Sequence, residues 1–152
     1  MDQISSFRSG NGPSPDHVAH HHLADFTLFT PEAESVEVEA DLRYDTADPF
    51  AVTLSFHHHG VDLVDWVFAR DLLAEGVAMP AGEGDVRLHP CWGDPGLVVV
   101  YLESPFGRAV LTACRKQLKE FLDCTTRLVP IGLESEWLEI DSSITHLLAG
   151  EW

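Results

Sequence analysis

Residues 42–76 read LRYDTADPFAVTLSFHHHGVDLVDWVFARDLLAEG, and they decide the fold. Leu42 and Tyr44 close a strand whose other face carries Arg43. The DTADP segment then turns the chain. Aspartate side chains bond nearby backbone, and Pro49 fixes its own φ while keeping Asp48 out of the helical region. Phe50, Val52, Leu54 and Phe56 alternate with Ala51, Thr53 and Ser55, the period-two pattern of a half-buried strand running back antiparallel. Residues 58–62 turn the chain again. Residues 63–69 form a third strand, apolar on both faces near Trp66, Val67 and Phe68, which predicts a central position. From Arg70 the period becomes helical, with Gly76 placed to stop a short helix. No grouping of side chains in this stretch reads as chemistry.

Upstream, Val36, Val38, Ala40, Leu42 and Tyr44 alternate with Glu37, Glu39, Asp41 and Arg43. One face of that strand is buried and the other is charged and wet. Residues 23–30 read as a first strand with Phe26 and Leu28 on one side. Residues 1–22 are expected to be a flexible tail, since the Ser-, Gly- and Pro-rich start buries too little surface to offset its ordering entropy. Residues 23–152 are then a single domain.

Downstream, residues 85–90 alternate as a strand, and 97–102 form the most apolar run, a buried strand. The SPFG turn leads back into 108–112. From Cys114 the period is helical: Leu118, Phe121, Leu122, Thr125, Leu128 and Val129 make one apolar stripe. A last helix is expected after the N-cap Asp141, with Ile144, Leu147 and Leu148 on its packing face. The class is α+β: a mostly antiparallel sheet, or sheets, of about seven strands with a long helix in the C-terminal half and helices segregated to one side. Strand order does not follow from the pattern.

Twenty-five acids face nine bases, a formal charge of −16. Nucleic-acid affinity rests on Lys and Arg neutralising phosphates, so this surface disfavours polyphosphate backbones, and anionic membranes for the same reason. A solvated acidic surface explains the charge; steering of a basic partner is the sharper reading. Three cysteines with no C-x-x-C pair fit reduced thiols. No apolar run reaches the ~20 residues that span a bilayer, and the first twenty residues carry no secretory signal. A cytoplasmic protein without membrane insertion is expected.

Nine histidines include runs at 20–22 and 57–59. Adjacent strand residues point to opposite faces, so such runs do not converge on one ion. They read as solvated turn and tail residues, and His89 as a partly exposed edge residue. Asp45 and Asp48 bracket a turn rather than a catalytic cleft. Phosphate cradles and a nucleophile elbow are absent from the sequence. The expectation is therefore no enzyme, no cofactor and no metal. Trp66 reads as core. Trp92 sits in a Gly/Pro loop, where a tryptophan either packs across the loop mouth or anchors a partner. The partner-binding candidates are Glu37, Glu39 and Asp41 on the acidic strand face, together with Trp92.

LRYDTADPFAV, VDWVFARDLLAEG, GEGDVRL, SPFGRAVL, FLDCTTRLVPIGLE and LEIDSSITHLLA resemble the signature blocks of the SsgA-like proteins of sporulating actinobacteria. The resemblance covers roughly residues 23–149. It departs in a longer segment before Leu23 and in HPCWGDPG, where members vary. It implies a whirly-like fold, a homotrimer, and an adaptor role in sporulation-specific division and septum-site selection. The implied partners are divisome proteins: FtsZ, recruited directly, or another SsgA-like protein acting between them, at division septa. The whirly likeness also carries an alternative, a single-stranded nucleic-acid-binding module. That module needs basic flanks beside its stacking aromatics, and the sequence shows none.

Overall fold

Eight strands and two helices are defined in a computed structural model that describes residues 2–7, 17–32, 34–58 and 61–139. In chain order they are β1 (Asp2–Phe7), β2 (His17–Phe29), β3 (Ser35–Asp45), β4 (Ala51–His58), β5 (Val61–Ala69), α1 (Arg70–Gly76), β6 (Val86–Pro90), β7 (Leu97–Ser104), β8 (Gly107–Cys114) and α2 (Arg115–Leu128). Residues 134–139 add a further helical turn. The seven strands expected from alternation are all present and lie in one sheet, in the order β5-β4-β3-β2-β8-β7-β6, with β1 paired to β2 off this path.

Two antiparallel meanders, β2 to β5 and β6 to β8, join where β2 pairs with β8 from Phe26↔Ala113 to Phe29↔Val110. The other end of the same β2 edge pairs with β1, from Phe7↔His17 to Asp2↔His22. Between those stretches the Asp25 amide donates to Gln117 Oε1 of α2 at 3.0 Å, so the helix fills the break in the ladder.

Even-numbered residues of β2, β3, β4, β6 and β7 face the core: Ala24, Phe26, Val38, Ala40, Leu42, Tyr44, Val52, Leu54, Phe56, Leu88, Val98 and Val100 are all buried. Helix α2 closes that face with Leu118, Phe121 and Leu122. Each such side chain contributes about 1.5–3 kcal/mol on full burial. Both helices lie on this inner face, as the α+β reading requires.

Three expectations are corrected. Strand β5 is the sheet edge, not its centre, and Val64 and Val67 are each 65% exposed. Local apolarity reports how oily a strand is, whereas position depends on which strands pair. The flexible tail to residue 22 is overtaken by β2, which begins at His17, and by β1. Within it His20 and His22 are buried rather than solvated, because they continue the even-numbered core face and Phe121 stacks on His20 at 5.7 Å. Gly76 does end α1, but without a left-handed φ. Its reason is close approach: a Cβ there would lie 2.5 Å from Leu88 Cβ. The helix expected after Asp141 lies outside the described residues.

The DTADP turn behaves as read. Asp45 Oδ1 accepts from the Ala47 amide at 2.9 Å, and the Asp48 amide donates to Asp45 O. Thr46, buried at its centre, exchanges backbone and side-chain hydrogen bonds with Val18 of β2.

Candidate functional site

With the helices on one face, the outer face, odd-numbered on β2, β3, β4, β6 and β7 and even-numbered on β8, is what the sheet presents. Its rungs follow from the register. Leu23 lies beside Asp41 and Asp41 beside Ser55; Asp25 lies beside Glu39 and Glu39 beside His57. Thr27 sits between Glu37 on β3 and Thr112 on β8, and that rung runs on through Val99 to His89. The next rung is Phe29, Val110, Tyr101 and Arg87. Strand β2 is thus a border. Towards β3 the outer face is acidic, and towards β6 it is apolar and aromatic.

On the acidic side Glu37 and Glu39 are exposed and Asp41 is half-buried, so the three candidates share one patch. Asp25 lies directly across from Glu39. Like charges directly opposite on neighbouring strands are destabilising; here Gln117 Nε2 donates to Asp25 Oδ2 at 3.5 Å and His57 lies across from Glu39 on β4. Asp41 Oδ2 is held by His21 Nδ1 at 2.9 Å. A concavity of about 560 Å³ opens here, lined by Asp25, Glu37, Glu39, His57 and His58. Among the described residues no group of three His, Cys, Asp or Glu side chains is placed to hold a metal ion.

Trp92 is not part of that patch; it sits beyond β6, at the opposite end of the sheet. It is 77% exposed and does not pack across its own loop. Its ring stacks on His89, centroids 5.8 Å apart and planes inclined by 11°. His89 Nδ1 lies 2.7 Å from the Pro90 carbonyl, which can only accept, so that nitrogen carries the proton. His89 Nε2 then accepts from the Tyr101 hydroxyl at 3.3 Å, and the Arg87 guanidinium lies 5.6 Å from the Tyr101 ring centroid. The four side chains form a continuous ladder along β6 and β7. His89 sits on the edge strand, as read.

Asp45 accepts from the turn's Ala47 amide, lies 2.8 Å from His17 Nδ1 and forms an ion pair with Arg43 at 3.2 Å.

The polar centre that sequence reasoning missed lies under the sheet. Arg70 is fully buried and donates to Thr125 O at 3.1 Å, to Val129 O at 2.6 Å and to Glu134 Oε2 at 2.9 Å, with its Cζ 4.9 Å from the Tyr44 ring centroid. It caps the carbonyls at the end of α2, where a cation also opposes the helix dipole. Burial alone raises the Glu134 carboxyl, but hydrogen bonds from Arg70, its own amide and the Gly132 amide hold it below the usual range. Burial pushes the Tyr44 phenol up to about 12, and its hydroxyl donates to Pro49 O at 2.9 Å. The one available signal was an arginine at a strand-to-helix junction inside the apolar run WVFARDLL.

Comparison with known proteins points in one direction. The family model for "Streptomyces sporulation and cell division protein, SsgA" matches residues 38–134. The sporulation-specific cell division protein SsgB of Saccharopolyspora erythraea is 45% identical over 133 residues, covering 88% of this chain and 94% of that protein. SsgB of Streptomyces coelicolor is 46% identical over 123 residues, 80% and 90% of the two chains. A solved SsgA-like cell division protein from Thermobifida fusca superposes with a TM-score of 0.77 at 35% identity, covering 90% of this chain and 98% of that one. An SsgB structure described with longitudinal cell division during sporulation of Streptomyces coelicolor gives 0.74 at 41% identity, covering 80% and 96%.

Proposed function

The chain belongs to the SsgA family of sporulation and cell division proteins, and from that premise we propose that it acts in sporulation-specific cell division as a non-catalytic adaptor. The observation that carries the reading is likeness over 88–90% of the chain to proteins of that named role, in sequence and in fold. The adaptor form is supported by the outer sheet face: broad, charged on one half and aromatic on the other, and turned away from both helices. Its candidate contacts are Glu37, Glu39 and Asp41 on the acidic half and Trp92 at the far end.

The partners in this reading are divisome proteins in the cytoplasm at division septa: FtsZ directly, or another SsgA-like protein that recruits it. The working unit is a homotrimer, and the sheet from β2 onward acts with its helices as one domain. Affinity purification of the full chain from sporulating cells is the test. Recovery of a divisome protein or of another family member supports the reading, and recovery of neither overturns it. Light scattering on the purified chain separates a trimer from a monomer. The single-strand-binding alternative requires a shift of labelled single-stranded DNA at low salt, against which the −16 charge argues.

A further inference from the structure

We propose that the outer face of the sheet, along the border formed by β2, is a docking groove for a basic amphipathic helix of a partner protein. The inference rests on the adaptor reading above and specifies its surface and the chemistry of its occupant.

The apolar half of the groove is built from Phe29, 47% exposed, with the half-buried Val110 and Tyr101 in register beside it across β8 and β7 and Val99 on the adjacent rung. The acidic half is Asp25, Glu37, Glu39 and Asp41 on β2 and β3. Neighbouring strands are about 4.8 Å apart, so the acidic and apolar strips lie within roughly 10 Å, the width of one helix with its side chains. A helix laid along β2 would set leucine-like residues on Phe29 and Val110. Its lysines or arginines would meet the carboxylates across the border, an arrangement that helix-in-groove recognition uses widely.

Charge decides the sign of the occupant. Asp25, Glu37 and Glu39 bring three carboxylates onto one patch, which a partner's cations would complement. The chain as a whole, at −16, steers basic segments in and repels phosphate polymers and anionic lipid. Arg87 and Arg108 lie at the far rim and flank Glu103, at 4.0 Å and 3.6 Å, so they do not neutralise the acidic half.

The test uses the isotope-labelled full chain and a synthetic leucine–lysine peptide with leucines at helical i, i+3, i+4 spacing. Comparators are the same peptide with glutamate for lysine, a serine–lysine peptide of equal charge, and oligothymidine. Amide shifts should cluster on Thr27, Phe29, Glu37, Glu39, Val110 and Thr112. Phe29→Ser and Glu39→Lys should each weaken binding about tenfold. Glu136→Lys, the same charge change at an exposed residue off this sheet face, should weaken it less than about twofold if local contacts rather than net charge set affinity. Glu39→Lys changes an exposed side chain and leaves the core untouched, so the test survives if Phe29→Ser does not fold. Shifts elsewhere, equal binding of any comparator at this face, or an equal effect of Glu136→Lys overturns the proposal. Concentration-dependent shifts of the same rungs without peptide would make the occupant a second copy and overturn it too. Purification of a partner from cells does not depend on these outcomes, so the two readings fail separately.

Discussion

The Arg70 guanidinium and the Glu134 carboxylate lie 2.9 Å apart with both side chains shut away from water. Sixty-four positions separate them. The pair ties the start of α1 to the segment beyond α2, and Trp137 Nε1, donating to Thr46 O at 2.8 Å, ties the same segment to the β3–β4 turn.

Removing one partner of a buried pair strands the other charge, at about 3–5 kcal/mol. Arg70→Met should therefore lower the thermal midpoint by roughly 10 °C. Arg70→Met with Glu134→Leu should recover part of that, because no charge is then left buried. Denaturant melts of the two variants decide it; a single-variant loss under about 1 kcal/mol would show that the pair lies open to solvent.

Glu134 also shapes the acid limb of stability. Its carboxyl is held below the ordinary value, so the unfolded chain takes up that proton first as pH falls. The stability it contributes is full above the unfolded pKa near 4.5 and is lost as pH drops through the lower folded value. Glu134→Gln should be less stable at neutral pH and show a flatter decline between pH 5 and pH 3 (about the carboxylate range). Equal slopes in urea melts across that range would refute the linkage.

Tyr44 carries the opposite sign at the alkaline end. The unfolded phenol ionises near 10, while the buried one holds its proton to about 12. Its stabilising effect is complete below pH 10 and declines as pH rises to 12. Tyr44→Phe should cost about 1 kcal/mol through the lost bond to Pro49 O and flatten that alkaline decline. Absorbance of the ionising phenols gives an independent check: the late-titrating signal of Tyr44 in wild type should be lost in the variant.

What could be read in the sequence was whatever is local. Alternation placed Val36 to Tyr44 and Val52 to Phe56 correctly because a period of two needs only neighbours, and Arg70 to Gly76 announced its helix for the same reason, whereas Phe50, read as part of the strand, lies in the turn before it and is exposed. What failed was non-local. Trp66, Val67 and Phe68 looked central, yet among the described residues no strand pairs with β5 on its free side. His20 and His22 looked wet because histidine runs usually are, and only the register against Tyr44 and Leu42 turns them inward. The candidate site divided in the same way. Glu37, Glu39 and Asp41 lie on one strand and were legible together. Asp25, Phe29 and Val110, which complete the surface, depend on the β2–β8 pairing that local pattern leaves open.

Gly76 offers a packing test. An added methyl would press Leu88 Cβ at 2.5 Å, and Leu88 is buried with little room to yield. Gly76→Ala should cost about 1–3 kcal/mol although alanine is the better helix former. Gly84→Ala, where nothing lies within 4 Å of the new carbon, should be neutral or slightly stabilising. If both substitutions behaved alike, helix α1 would not be seated against β6 in the way described.

The free edge gives the last expectation. Val67 lies opposite Thr53 on β4, and its side chain is 65% exposed on a strand with no further neighbour in the sheet path. An apolar residue on an open edge invites pairing with another chain, and lysine at such a position discourages it. Val67→Lys should shift the urea midpoint by no more than about 0.5 kcal/mol equivalent, since little burial is lost. It should also slow aggregation of the purified chain on heating. A destabilisation above about 1 kcal/mol would mean that Val67 is buried in the working molecule. The edge would then have to be covered by another chain, and light scattering of wild type and variant would show a change in mass. With stability unchanged, the valine is held by strand propensity and local fit alone, and β5 is a true border of the sheet.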